Sequence, residues 1–338
     1  MLTKFSSCLF CCLVVTATAH SVLQAQSPTV YASVTATRNF VVGATNAKSG
    51  LFYQRPSDDT TWQVTGSKNT RAFSFAVHTP ARGQLIYIAA GNGVHRTADF
   101  GKSWKITTGW EITEVLSVSI DPKNPQNVYV GTAYGIYKSA DGGLSWTRQN
   151  VGLTALFSSS VMVDQNNSET LYCVTEDGLF RSTDVAKTWQ HVEGLRVKNI
   201  RVIAQSSRDH NLLVAGSDNN GLYISRNGGK TWAKSDIGID HEAFWTIAFD
   251  PQNADIFYAG GYVTGIYKTV DGGRSWLNYH AGLTNLNIHA LAVDPTNSQR
   301  LYAGTMWSGI FRSDDGGVSW HKAGLSGAQV WSVSIQPF

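Results

Sequence analysis

Three regularities in this chain of 338 residues predict an all-β fold, a seven-bladed β-propeller with four antiparallel strands per blade. A tryptophan-anchored motif recurs at Trp62, Trp104, Trp146, Trp189, Trp232, Trp276 and Trp320, at intervals of 42, 42, 43, 43, 44 and 44 residues. Four strand-like runs fall within each interval, and four strands in about 40–45 residues is the size of one propeller blade. The final run, Val330-Trp331-Ser332-Val333-Ser334-Ile335, copies a first strand such as Val115-Leu116-Ser117-Val118-Ser119-Ile120. The first unit lacks such a strand. Residues 330–335 are therefore expected to complete blade one and close the ring, which removes the open sheet edges that invite aggregation.

The elements follow in order. Met1-Leu2-Thr3-Lys4 precedes an apolar run over residues 5–19, the layout of a secretory signal peptide. Small residues mark two cleavage sites, after Ala19 and after Ala25, and the second is favoured, so residues 1–25 are assigned to the signal. The run is shorter than the roughly 20 apolar residues a membrane span needs. Cys8, Cys11 and Cys12 lie inside it, which leaves Cys173 as a small buried hydrophobe with no disulfide partner. Residues 26–39 form either a tail or an extra strand, with 29–35 the stretch able to pair. The propeller is assigned to residues 40–338, its first blade beginning with a second strand at 40–44. The third unit is the template for the rest. Asp121-Pro122-Lys123-Asn124-Pro125 punctuates its first two strands and Asp141-Gly142-Gly143 its last two.

Composition narrows the function classes. Charged residues make up 15% of the chain against a usual quarter, beside 11 tryptophans, 13 tyrosines and 14 phenylalanines. A chain of this kind buries a large core and is not disordered. Its net charge of +3 is too balanced for nucleic acid, whose binding proteins concentrate basic charge on one face.

Around each tryptophan the pattern is Ser/Thr-x-Asp-x-Gly-x-Ser/Thr-Trp, with Asp99, Asp141, Asp184, Asp271 and Asp315 at its centre, Asn227 in the fifth copy and Ser57 in a worn first copy. This resembles the Asp-box, or BNR repeat. The acid can accept hydrogen bonds from the turn's backbone and the indole can pack between sheets, so these residues are read as structural. One carboxylate per turn falls short of the roughly 6–8 oxygens that Ca²⁺ takes. Among Asp-box propellers the pattern is most similar to photosystem II assembly/stability factor-like proteins, and more distantly to xyloglucanases, sialidases and sortilin-type receptors. The first resemblance implies an exported, monomeric, non-catalytic assembly scaffold, periplasmic or secreted, with a protein partner and no cofactor or metal.

Strand alternation places the Asp-Pro turns and Asp-boxes at one end and the two–three loops at the other. The Asp-box end is uniform. At the opposite end one first-strand position per blade varies: Trp331, Phe73, Leu116, Ser159, Arg201, Trp245 and His289. The tryptophans outside the boxes, Trp110, Trp245, Trp307 and Trp331, all map there. Displayed aromatic side chains suit recognition. The expected partner surface therefore comprises Trp110, Trp245, Trp307 and Trp331 with His289, Arg201, Tyr134 and Tyr262. The competing reading is that the row simply tops the core.

The competing class is a glycoside hydrolase or lectin on the same propeller. Such hydrolases need two carboxyl groups about 5–5.5 or about 6.5–9.5 Å apart, and xyloglucanase-like enzymes place catalytic Asp residues in two–three loops. Glu176, Asp177 and Asp218, in neighbouring loops, are the candidates. No Gly-x-Ser-x-Gly elbow and no His-x-x-x-His pair occurs.

Overall fold

The computed structural model describes residues 28–37, 49–55, 61–66, 69–79 and 84–337. They form seven four-stranded antiparallel sheets. Blade two is typical, with Ala72–His78, Leu85–Ala90, Gly93–Thr97 and Lys105–Ile106 running from the centre outward. Each blade's first strand packs against the first strands of its two neighbours, so the seven close a ring around a central channel.

Blade one is composite. Its innermost strand is Ala328–Gln336, paired with Thr29–Thr37, then Gly50–Gln54 and Gln63–Thr65. The C-terminal strand thus closes the ring as the repeat predicts. The second strand is a different segment from the one expected. It is Thr29–Thr37, from the stretch for which tail and extra strand were both open, and the propeller begins there instead of at residue 40. Thr-Val-Tyr-Ala-Ser-Val and Phe-Val-Val are equally strand-like in composition, and only the pairing of Thr29 with Gln336 decides between them. Residues 38–48, the proposed signal over 1–25 and Ser57 lie outside the described residues.

The second strands Val128–Thr132, Leu171–Thr175, Leu213–Ser217 and Phe257–Gly261 are buried at every residue. A sheet lies against each of their faces, which is why they read as unbroken apolar runs and not as alternating ones. The blades approach closely here. A Cβ on Gly131 would come within 2.6 Å of the Ser158 carbonyl of the next blade, and one on Gly216 within 2.8 Å of the Phe244 carbonyl.

The Asp-boxes tie off the outer hairpins. Asp141 accepts from the Ser139 hydroxyl at 2.7 Å, the Ser145 N–H at 2.9 Å and the Ser145 hydroxyl at 2.6 Å, while Ser139 accepts from the Gly143 N–H at 2.7 Å. The same bonds hold the Asp99 and Asp315 carboxyls down to about 2, led by the hydroxyls of Ser103 and Ser319. Asn227 keeps the geometry with an amide: its oxygen accepts from the Thr231 N–H at 2.9 Å and its nitrogen donates to the Thr231 hydroxyl at 2.8 Å.

Most box tryptophans are staples to the preceding blade. The indole N–H groups of Trp62, Trp189 and Trp320 donate to the carbonyls of Ala323, Gln149 and Tyr279, and those of Trp146 and Trp276 to the hydroxyls of Thr107 and Ser235. Trp104 and Trp232 instead turn back onto their own boxes, at Gly101 and Gly229.

A second latch runs the other way. The hydroxyls of Tyr87, Tyr172 and Tyr258 donate to the box carbonyls of Gly142, Gly228 and Gly316 in the following blade. Between blades three and four this latch is missing. There the box reads Asp184-Val185-Ala186, with Val185 at φ 66° and Ala186 at φ 67°, where the boxes of blades three, five, six and seven carry two glycines and that of blade two carries Phe100-Gly101. A Cβ on Gly143 would sit 2.5 Å from the Tyr87 ring. Ala186 carries that Cβ, and the Tyr129 hydroxyl facing this box is buried with no partner.

Candidate binding site at the channel mouth

The variable first-strand position coincides with a β-bulge. In blade two Ala72 pairs with Ala90 and Ser74 with Ala89, which leaves Phe73 out of register. Leu116, Ser159, Arg201, His289 and Trp331 are skipped in the same way. In blade six Trp245 donates its N–H to the Gly260 carbonyl although Thr246 is the residue paired with Gly260. A bulge re-aims side chains and breaks the alternation of a strand. Here it brings two consecutive residues per blade onto the channel, such as Phe73 with Ser74, Arg201 with Val202, and Trp331 with Ser332. A regular strand would offer one.

All seven variable residues line one cavity of about 690 Å³ at the channel mouth. That is the size range of small-ligand pockets. Half of its wall is a continuous aromatic arc. Trp245 lies 5.4 Å from Tyr262 and meets His289 edge-on at 4.9 Å. His289 meets Trp331 at 4.8 Å, Trp331 meets Phe73 at 5.7 Å, and the Arg71 guanidinium covers Phe73 at 5.3 Å. Desolvation pushes the His289 imidazole down to about 4, and its Nε2 is buried without a hydrogen-bond partner. Between two indole edges the ring is therefore neutral at ordinary pH. The opposite wall is small and hydroxylated, with Ser117, Ser159 and Ser160 beside Leu116 and Phe157.

No acidic residue is among the described residues lining this cavity, and the lining cations are Arg71 and Arg201. Asp218 stands just behind the wall. Its Oδ2 accepts from Arg201 Nε at 2.6 Å and its Oδ1 from the Trp245 indole at 2.6 Å. Asp177 accepts from the Thr154 hydroxyl at 2.7 Å and lies 3.4 Å from Lys198. These bonds, the Thr154 hydroxyl first among them, hold its carboxyl below the usual range. Neither Asp177 nor Glu176 lines the cavity.

Loop length decides which candidates reach the mouth. Blades two, three and four have two-residue loops, since Ala90 pairs with Gly93, Thr132 with Gly135 and Thr175 with Gly178. Blades six and seven have three-residue loops, as Gly261 pairs with Gly265 and Thr305 with Gly309. Blade five has an equivalent loop at 218–220, closed by a bond from the Ser217 N–H to the Gly221 carbonyl. The first residue of each longer loop, Asp218, Tyr262 or Met306, sits in or directly behind the cavity wall. Tyr134, Glu176 and Asp177, on the shorter loops, do not line it.

Of the expected partner surface, Trp245, Tyr262, His289, Trp331 and Arg201 meet at the cavity. Trp110, Tyr134 and Trp307 lie outside its lining. Trp110 is 91% exposed on the segment joining blades two and three, and Trp307 holds a left-handed φ of 71° in its loop. Sequence reasoning passed over Arg71, Phe157 and Gln329, which also line the cavity. For the longer loops a signal was available: the loop glycine falls one residue later in Asp218-Asn219-Asn220-Gly221, Tyr262-Val263-Thr264-Gly265 and Met306-Trp307-Ser308-Gly309 than in Glu176-Asp177-Gly178.

Comparison with known proteins gives the fold a setting. The BNR/Asp-box repeat model matches residues 223–234 and 311–322. No curated protein matches the chain by sequence. Among solved structures, the GH74 enzyme of Niastella koreensis superposes with a TM-score of 0.62 at 20% identity, over 77% of this chain and 45% of that one. The GH74 xyloglucanase of Xanthomonas campestris gives 0.60 at 18% identity, over 74% and 45%. YCF48 bound to a D1 peptide gives 0.58 at 17% identity, over 74% of this chain and 81% of that one. This chain spans less than half the length of the two GH74 structures. These likenesses are of fold.

Proposed function

We propose that the chain is an exported, non-catalytic assembly scaffold of the photosystem II assembly/stability factor-like kind, monomeric, periplasmic or secreted, which seats a peptide segment of a protein partner at its channel mouth. The observation that carries this reading is the bulge row. Seven equivalent backbone positions carry non-equivalent side chains, and all of them meet at one cavity. Repetition without function would leave that row as uniform as the Asp-boxes. A cavity of this size, ringed by blades, admits a chain segment and not a folded surface. A solved propeller of similar fold and extent, YCF48, is bound to a peptide. The carboxylates nearest the mouth hold cations, an indole and a hydroxyl, which suits support more than proton transfer.

The second reading, a glycan ligand with or without hydrolysis, is favoured by the aromatic arc and by the GH74 likeness. One experiment separates them. The full chain is challenged with a displayed library of random dodecapeptides and, in parallel, with an array of β-glucans and sialosides scored for binding and cleavage. Enrichment of related peptides by the parent chain, lost in Trp331→Ala, is the expected result. Glycan binding or cleavage without peptide enrichment overturns the proposal.

A further inference from the structure

Asp218 occupies a place that no other loop residue shares among the described blades. It opens the 218–220 loop, and that loop is pinned on both sides. The Asp218 N–H donates to the Asn199 carbonyl at 3.0 Å, and Gly221 N–H to the Glu242 carbonyl at 2.9 Å. The carboxylate therefore lies between the bulge residue of its own blade, Arg201, and that of the next, Trp245. Its two oxygens divide the work. Oδ2 takes both Nε and Nη2 of Arg201, at 2.6 and 2.5 Å, and Oδ1 takes the Trp245 indole N–H at 2.6 Å. The side chain is 25% exposed, so these charge-assisted bonds are only partly screened by water.

An indole has a single hydrogen-bond donor, and anchoring it restricts the rotamers open to the ring. Trp245 is also an interior ring of the arc. Its face and edge set Tyr262 on one side and His289 on the other, and His289 in turn carries Trp331, then Phe73. Each link is an edge-on or tilted contact whose energy depends on ring orientation. One carboxylate thus holds the charged corner of the mouth and one ring of its aromatic wall in a single geometry.

Resting on the peptide-binding reading above, we infer that Asp218 is the positioning residue of the mouth: it orients Trp245 and Arg201 so that the arc is rigid before a ligand arrives, and it touches no ligand itself. Pre-orientation of this kind raises affinity by removing the cost of ordering side chains on binding.

Two variants of the full chain dissect the carboxylate. Asp218→Asn keeps an oxygen for the indole but turns an amide N–H₂ toward Arg201. Asp218→Ala removes both acceptors. The first readout needs no ligand: the Trp245 indole N–H resonance, assigned by its loss in Trp245→Phe, with its hydrogen-exchange rate. In Asp218→Ala that resonance moves toward a free indole and exchanges at least about ten-fold faster, as loss of a hydrogen bond to a charged group requires. In Asp218→Asn the indole signal stays near its original position while Arg201 is released. The second readout is the dissociation constant of the dodecapeptide most enriched by the parent chain, which rises roughly ten-fold or more in Asp218→Ala and less in Asp218→Asn, with all three chains fully folded at the temperature of the measurement. If no peptide is enriched the binding reading fails, and the indole readout still decides positioning. An unchanged indole resonance and exchange rate in Asp218→Ala overturns the inference. So does loss of a measured β-glucan cleavage in Asp218→Asn with the indole unmoved, since that would make Asp218 a reacting group.

Discussion

The two ends of the ring use repetition in opposite ways. At the Asp-box end, Asp99, Asp141, Asp184, Asp271 and Asp315 make the same bonds to the same kinds of neighbour, blade after blade. At the mouth, an equally regular backbone device, the bulge, presents Trp, Phe, Leu, Ser, Arg, Trp and His in turn. The first end spends its residues on holding blades together. The second inherits that rigidity and is free to vary. Substitutions should therefore separate cleanly, those at the boxes costing stability and those at the mouth costing binding.

The largest effect expected is at Trp276, 1% exposed and bonded to Ser235 in the preceding blade. Trp276→Ala should lose about 3–5 kcal/mol in urea unfolding. Trp331→Ala, at 38% exposure, should lose about 1–3 kcal/mol from its two ring contacts while abolishing peptide capture. Equal losses at both would erase the contrast between the ends.

Smaller changes probe the latches. Tyr258→Phe removes a buried bond to Gly316 and should cost about 1 kcal/mol. Tyr129→Phe removes a hydroxyl that has no partner and should be neutral or slightly stabilising. The same seam should gain from glycine. Val185→Gly relieves a β-branched residue in the left-handed region, which costs about 1–2 kcal/mol, and the larger unfolded-state entropy of glycine returns only part of that. A net gain of about 0.5–1 kcal/mol in the urea midpoint is the measurement.

The least effect is set by pH. Asp99 and Asp315 titrate near 2 in the folded chain, below the usual 3.8. Their contribution is full above the usual value and disappears as pH falls from about 4 toward 2. Unfolding followed across that window should show a declining stability whose slope shrinks in Asp315→Asn.

Much of this architecture is legible in the residues because it repeats. Seven tryptophans in near-constant spacing give the blades, and the copy of a first strand at 330–335 gives the closure. The variable row is legible too, since aligning the repeats shows that Arg201 and His289 stand where Phe73 does. What the row does with its side chains is less legible. A bulge is a relation between two strands, and nothing in Phe73-Ser74 alone says that Ala72 and Ser74 face consecutive partners. The role of Asp218 is hidden for a related reason. A loop aspartate reads as a free acid until the indole from the next blade is found on it. The second strand of blade one shows the limit for strands, because two β-prone segments compete and pairing with Gln336 selects Thr29–Thr37.

The pairing of Thr29 with Gln336 also has a kinetic side. It is a contact between residues about 300 positions apart, and it closes a loop that contains every intervening blade. The entropic cost of closing so long a loop grows slowly with length, so it weighs on rate more than on final stability. Until the last strand docks, Thr29–Thr37 presents an unpaired edge to any other chain. A second copy could lend its own C-terminal strand there, and dilute refolding would then favour single rings where concentrated refolding favours exchanged ones.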